Sequence, residues 1–279
     1  MINGIYTSTA GMQIQMREQE TIANNIANVN TSGFKRRIAV FSEKPEVDIH
    51  KLEKGDEIEF YPYLEDQVIG KTGQGTIVSQ IYTDYSQGST KHTGNKYDFS
   101  IMGKGYFPVE DPNGEIQFTR NGEFTINNEG YLATQQGFKV LGMKPGGLED
   151  GYQAFDEKGE VYVPLLPIKF DTDEIQEITF SPTGQLFING EDSGTGLSVF
   201  RLSDKAIPLG GNLFSKGTGE VLFDAHSEIQ NGYLEASNVN SIKEMVRMIQ
   251  ALRAYESGDR LIRTQDDTLA KLIGRMSYK

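Results

Sequence analysis

The chain has 279 residues, no cysteine, no tryptophan and a formal net charge of −12. That length accommodates one large domain or two ordinary ones, with room for a sizeable core. The missing cysteines exclude disulfides, thiolate metal sites, iron–sulfur clusters and cysteine nucleophiles, and the acidic balance argues against nucleic acid as a partner, because phosphate binding needs clustered Lys and Arg.

The charge is unevenly spread. Residues 1–40 carry a net +2 and residues 239–279 a net +3, which leaves −17 on the 198 residues between them. Such a division marks parts with different tasks. The longest apolar stretches fall far short of the ~20 residues that span a bilayer. The first 30 residues lack the basic start and continuous apolar run of a secretory signal. Direct membrane insertion and cleavage of a signal peptide are therefore not expected.

From about Tyr6 to Asn28 the chain reads as an amphipathic helix. Ile5, Met12, Met16, Ala23 and Ile26 sit at heptad-like spacings, and Asn30 and Gly33 follow as stop signals. Asn24, Asn25 and Asn28 are mediocre helix formers. They either fray the helix end or donate their amides to a neighbouring helix and fix its register. Residues 42–75 are the least readable part, with mixed charges and a charged run from Lys51 to Glu59.

A two-residue period then takes over. Ile116–Arg120, Asn121-Gly122 and Glu123–Ile126 read as a hairpin. Asn127–Gly130 turns into Tyr131–Thr134, and Gly137 into Phe138–Leu141. Ile175–Phe180 and Gln185–Ile188 flank the turn Ser181-Pro182-Thr183-Gly184, and Leu197–Leu202 reads as one further strand. Turn signals every 8–12 residues indicate antiparallel β structure.

The C-terminal segment, from about Ser241 to Ser277, is the clearest signal. Met245, Met248, Leu252, Tyr255, Ile262, Leu269, Ile273 and Met276 follow one alternating three-and-four spacing, interrupted by Asp259 and Asp266. A one-sided helix roughly 55 Å long is not stable alone in water and needs a partner. The other helix of similar character is the N-terminal one. The expected fold is α+β, mainly β: an antiparallel β-domain in the middle, with the terminal helices pairing into an α-helical coiled-coil domain. Residues 1–40 with 235–279 are expected to form the helical part, 41–90 an irregular or extended connecting region and 91–234 the β-rich outer domain.

Sites for chemistry are not apparent. Gly70-Lys71-Thr72 lacks the earlier glycine of a phosphate-binding loop, where Glu65 stands instead. Asp111-Pro112-Asn113-Gly114 resembles part of a calcium loop without its later ligands, and is a β-turn by composition. His50, His92 and His226 are isolated in sequence, and no Gly-x-Ser-x-Gly elbow occurs. Catalytic, cofactor-binding and metal sites are not expected, nor is enzymatic activity.

Several segments carry a resemblance. Residues 23–36, from Ala23-Asn24-Asn25-Ile26 to Gly33-Phe34-Lys35-Arg36, are similar to the N-terminal signature of the flagellar rod and hook family of axial proteins. Similar segments follow at Thr93-Gly94-Asn95, Asp98–Phe107, Phe118-Thr119-Arg120-Asn121-Gly122 and Gly210–Phe214. The last runs from Gly232-Tyr233-Leu234-Glu235 through Asn238-Val239-Asn240 to Arg253-Ala254-Tyr255-Glu256. The poorly matched part is 42–85.

The resemblance implies a structural subunit of the bacterial flagellar basal-body rod that polymerises helically through its terminal helices and transmits torque from motor to hook. It implies a periplasmic location, export by the flagellar type III apparatus, and copies of itself and other rod and hook subunits as partners. The expected assembly surface comprises Ile5, Met12, Met16, Ala23, Asn24, Asn25, Ile26 and Asn28 on the first helix. On the second it comprises Met245, Met248, Leu252, Tyr255, Ile262, Leu269 and Ile273. Phe41–Glu46 resembles the proximal rod subunit (FlgF type) more than the distal one (FlgG type). The alternatives are a distal rod or hook-related subunit, and a β-rich binding or adhesin module on a helical stalk.

Overall fold

The computed structural model describes residues 2–50, 68–73, 75–143, 165–170, 178–181, 184–203, 206–217, 220–224 and 227–276. The Lys51–Glu59 charge run, residues 175–177, Pro182-Thr183 and His226 lie outside the described residues. The chain is mainly β, with one helix at each end, and divides into two compact units. One comprises residues 1–27, 37–84 and 240–279; the other comprises 28–36 and 85–239.

In the helical unit, α1 (Ile2–Ala27) and α2 (Ser241–Met276) pair along their lengths. Neither contains proline, and threonine hydroxyls on α1 bond back to the preceding turn, as Thr21 does to the Arg17 carbonyl at 2.9 Å. Asn240 caps α2: its Oδ1 accepts from the Lys243 N–H at 3.0 Å, filling one of the donors a helix start leaves open. The helices run antiparallel, since Gly4 lies against Gln265, Gly258 against Met12, and Asn25 against Glu244. The approach is close: a Cβ on Gly258 would stand 2.7 Å from Met12 Cγ, and one on Gly4 2.8 Å from Gln265 Nε2.

Among its described residues, the 41–90 region, expected to be irregular or extended, holds most of a set of strands. β1 (Arg37–Glu43) pairs with β4 (Thr76–Thr83), and β2 (Val47–His50) with β3 (Val68–Thr72), all antiparallel. A bulge at Val40/Phe41 interrupts the first ladder. β1 and β4 also pack against α1. Short pairings, a bulge and intervening charges leave little period-two signal for a sequence reading to detect. Gly70-Lys71-Thr72 falls within β3, so it opens no helix.

The β unit is built on an eleven-stranded antiparallel sheet, with three further two-stranded pairs, among the described residues. Phe99, Phe107, Phe124, Leu132, Val140, Ile168, Phe170 and Leu186 form the larger core cluster; Phe118, Phe200, Phe214 and Val221 belong to a second. The hairpin expected at Asn121-Gly122 does not form. Ile116–Thr119 returns onto Phe107–Glu110 through the Asp111–Gly114 turn, and its other neighbour is Leu213–Ser215. Phe124–Ile126 pairs with Leu132–Thr134. The Gly122 carbonyl accepts from the Phe99 N–H at 3.0 Å, so the dipeptide crosses between strands instead of reversing one. Leu197–Leu202 is likewise two strands: Glu191–Leu197 joins the large sheet, while Phe200–Leu202 pairs with Val221–Phe223. The hairpin from Ile178–Phe180 to Gln185–Ile188 forms as expected.

Candidate assembly surface

α2 buries one stripe and leaves a second uncovered. The inward stripe is Glu244, Met248, Ala251, Tyr255, Gly258, Ile262, Gln265 and Leu269, at an alternating four-and-three spacing. Met248, Tyr255, Ile262 and Leu269 coincide with the apolar heptad seen in the sequence. The alternate positions are displaced by one residue, to Glu244, Ala251, Gly258 and Gln265 in place of Met245, Leu252, Asp259 and Asp266. The physical reason is distance. Ala251, Gly258 and, opposite Gln265, Gly4 let the two helix backbones approach, and Glu244 is held inward by the Asn25 amide, while Met245 and Leu252, one position on, stay exposed. Ile242 (70% exposed), Met245, Ile249 (51%) and Leu252 form the second stripe, turned about 100° from the first. Ile273 lies exposed nearer the C-terminus.

On α1, Ile5, Met12 and Ile26 are half-buried and Asn25 is 1% exposed, while Asn28, expected on the helix, lies in the turn just past its end and is half-buried. Met16, Ala23 and Asn24 face outward. Met16 contributes to a groove of about 500 Å³ whose walls include Ala10, Ile14 and Arg17 of α1 and Ile77 and Val78 of β4. The β1–β4 ladder adds Val40, Phe41, Ile81 and Tyr82 to the exposed apolar surface.

Of the three asparagines, Asn25 is the one whose amide ties three elements together. Its Nδ2 donates to the Arg37 carbonyl at 2.8 Å and to Glu244 Oε2 at 3.1 Å, while its Oδ1 accepts from the Arg37 N–H at 2.9 Å. One amide thus acts as a strand partner for the start of β1 and as a donor to a buried carboxylate in the first turn of α2. Glu244 also pairs with Arg247 at 3.5 Å. Glu18 stands close enough to be affected: its own burial, then the Glu244 charge, push its carboxyl above the ordinary carboxylate range.

A second cluster lies inside the β unit. Glu235, 2% exposed, takes Lys35 Nζ on Oε1 at 2.7 Å and Arg120 Nε on Oε2 at 2.5 Å. Gly88 N–H donates to Oε1 at 2.9 Å. Lys35 also donates to the Ser86 carbonyl at 2.9 Å. The Arg120 guanidinium donates to the carbonyls of Ile101 at 2.9 Å and Gly103 at 2.6 Å, and to that of Gly105. Burial pushes the Glu235 carboxyl up, but the charges of Arg120 and Lys35 outweigh it and hold the group below its ordinary value. Removing one member of such a buried cluster costs about 3–5 kcal/mol, because it strands the other charges. Gly33 makes the approach possible: its φ is +70°, and a Cβ there would stand 2.6 Å from the Arg120 carbonyl carbon. Sequence reasoning assigned Lys35, Arg120 and Glu235 no role, although each lies in a segment that carried the resemblance.

Comparison with known proteins matches three stretches of the chain. Residues 5–35 match the family described as flagella basal body rod protein. Residues 100–188 match the flagellar hook protein FlgE/F/G D1 domain, and residues 230–275 the flagellar basal body rod FlgEFG protein C-terminal family. The chain is 30% identical to the flagellar basal-body rod protein FlgG of Agrobacterium fabrum, over 96% of this chain and 97% of that one. It is 31% identical to FlgG of Borreliella burgdorferi, again over 96% and 97%. FlgF of Caulobacter vibrioides is 31% identical over 92% of this chain and 91% of its own length. The expected preference for the FlgF type over the FlgG type is therefore not supported, since the FlgG-named relatives match at similar identity over slightly more of the chain. With these relatives spanning nearly its whole length, the chain belongs to the FlgE/F/G family of flagellar basal-body rod proteins.

Proposed function

We propose that the chain is a structural subunit of the flagellar basal-body rod, assembling with copies of itself and with other rod and hook subunits through its helical unit. The observation that carries this reading is the second apolar stripe of α2. Ile242, Met245, Ile249 and Leu252 stay exposed although the same helix already turns a heptad seam towards α1, with Glu244 and Ala251 buried and the rest of the seam half-buried. An uncovered stripe of this length calls for a helix or strand from another copy.

Magnitudes favour a polymer over an isolated dimer. Each half-exposed side chain of the stripe stands to gain about 1 kcal/mol on full burial, half of the usual transfer value. Four of them supply roughly 4 kcal/mol, at or below the lower end of the 4–15 kcal/mol that association costs. A single contact of this kind does not hold two copies together. Repeated with several neighbours it does, and a heterologous contact that fails to close on itself generates a filament. We extend the proposal to the seam residues of both helices, to the periplasmic rod as location and to the flagellar export apparatus as the route there, all on the strength of the family. Among the described residues, no helix is long and apolar enough to cross a membrane. This reading assigns the chain no catalytic task.

The test is electron microscopy of the purified full-length chain over a range of concentrations. Helical filaments that appear above a threshold concentration support the proposal. A closed trimer whose size does not change with concentration would instead favour a β-rich binding module on a helical stalk.

A further inference from the structure

The chain passes between its two units four times, at 27/28, 36/37, 84/85 and 239/240. Any load carried from one unit to the other along the chain enters the β unit through residues 28–36, 85–89 or 235–239. All three segments are fastened together there. Gly33 N–H donates to the Glu235 carbonyl at 2.8 Å, Arg36 N–H to Asn238 Oδ1 at 2.8 Å, and Ala236 N–H to the Ser89 carbonyl at 2.8 Å. Asn238 Nδ2 donates to the Ser86 carbonyl at 3.0 Å, and Asn212 Nδ2 holds the Ser32 carbonyl at 2.8 Å. At the centre of these fastenings sits the buried ion cluster, with Lys35 from the first segment, Glu235 from the third, and Ser86 and Gly88 from the second.

We propose that Lys35, Arg120 and Glu235 act as a mechanical lock, positioning residues that keep the load-bearing segments attached to the β unit under tension. Apolar contacts are non-directional and let surfaces slide. A buried charge with hydrogen bonds from several directions must lose them together, with no water present to replace them. Arg120 anchors the cluster within the β unit itself, through the carbonyls of residues 101, 103 and 105. A buried ion cluster contributes little net stability compared with apolar packing, so resistance to pulling is what its presence here provides. The inference rests on the reading of the chain as a load-bearing subunit, but the measurement that tests it uses single unassembled chains. A failure of the lock is thus distinguishable from a failure of that reading.

The absence of native cysteine allows specific handles. With Ala23→Cys in the helical unit and Glu191→Cys in the β unit, both exposed positions, DNA tethers in an optical trap draw residues 28–36 away from their seat. Because residues 27 and 37 both belong to the helical unit, the tether lengthens only when residues 28–36, 85–89 and 235–239 have all come away; that step releases roughly 17 Å, the five residues of 85–89 at 3.3–3.6 Å per residue. At a fixed load, the mean lifetime before that step is expected to fall at least tenfold in Glu235→Gln and in Lys35→Met. Lifetimes equal within twofold in all three chains would overturn the proposal, as would a first step in the unsubstituted chain that leaves residues 28–36 attached. If Glu235→Gln does not fold, Lys35→Met decides alone.

Discussion

Asn25 offers the sharpest perturbation. Its amide makes three hydrogen bonds: two to the backbone of Arg37 and one to the carboxylate of Glu244. In Asn25→Ala, the N–H and carbonyl of Arg37 lose their partner, and a carboxylate that is 2% exposed loses a donor. A neutral bond contributes about 1 kcal/mol and one to a charged group about 1.5–3 kcal/mol. Partial rescue by water at the half-buried Arg37 lowers the sum, and a loss of about 2–4 kcal/mol follows. Asn25→Asp separates this account from a merely steric one. An aspartate still accepts from the Arg37 N–H, but it cannot donate to the Arg37 carbonyl or to Glu244, and it sets a second negative charge against that buried carboxylate. At neutral pH it should therefore be worse than alanine, despite its closer shape. The assay is urea unfolding of the full-length chain followed by helical circular dichroism, which reports on α1 and α2. If Asn25→Ala shifts stability by less than about 0.5 kcal/mol, or if Asn25→Asp is the more stable variant, the amide bridge is not what joins these elements.

Other predictions follow from the helix seam and the buried carboxyls. A Cβ at Gly11 meets nothing within 4 Å, so Gly11→Ala should stabilise α1 by about 0.5–1 kcal/mol, the ordinary helix-propensity gain. Gly258→Leu should destabilise the helical unit by about 1–3 kcal/mol, since even a Cβ would crowd Met12; thermal unfolding measures both. The two units should also respond oppositely to acid. Glu235 is held below its ordinary value of 4.5, so its contribution is complete above that value and is lost as pH falls through its lowered folded value. Glu18 is raised above its ordinary value of 4.5 by burial and by Glu244; the helical unit should therefore gain stability as pH falls from neutral through that raised value towards 4.5. Hydrogen exchange resolved by segment, from pH 7 to well below 4.5, reads the two trends separately.

Composition and period carried the sequence reading a long way, and its failures have specific physical causes. Two helices at the ends and antiparallel strands between them follow from where the apolar period is near 3.5 and where it is two. The four apolar seam positions Met248, Tyr255, Ile262 and Leu269 were legible for the same reason. The alternate seam positions were not, because Ala251, Gly258, Gln265 and Glu244 are small or polar. Hydrophobicity marks the residues that could be buried, whereas backbone approach selects those that are. No hairpin forms at Asn121-Gly122, because turn chemistry is local and strand pairing is not. The same dipeptide serves equally well where the Phe99 backbone must come close. In the helical unit, an asparagine fixing register against a second helix was one of two open readings. Asn25 matches it, with the addition of β1, which no spacing in the sequence could reveal. The ion cluster is the least legible feature. Its members are 85 and 115 residues apart along the chain, and a lone Lys, Arg or Glu in a strand-rich region looks like a solvated surface charge.

The central claim is that α2 carries a seam for its own chain and a second stripe for another copy. A single introduced cysteine reads this directly, because the chain contains none of its own. Ile249→Cys places a thiol on the second stripe, at a position 51% exposed in the single chain. Lys104→Cys places one on the exposed surface of the β unit as a reference. The measurement is the rate of thiol labelling in dilute monomer and in assembled filaments. We expect the residue 249 thiol to react readily in monomer and to be protected at least tenfold on assembly, relative to the residue 104 thiol. Equal labelling of the residue 249 thiol in both states would contradict the claim.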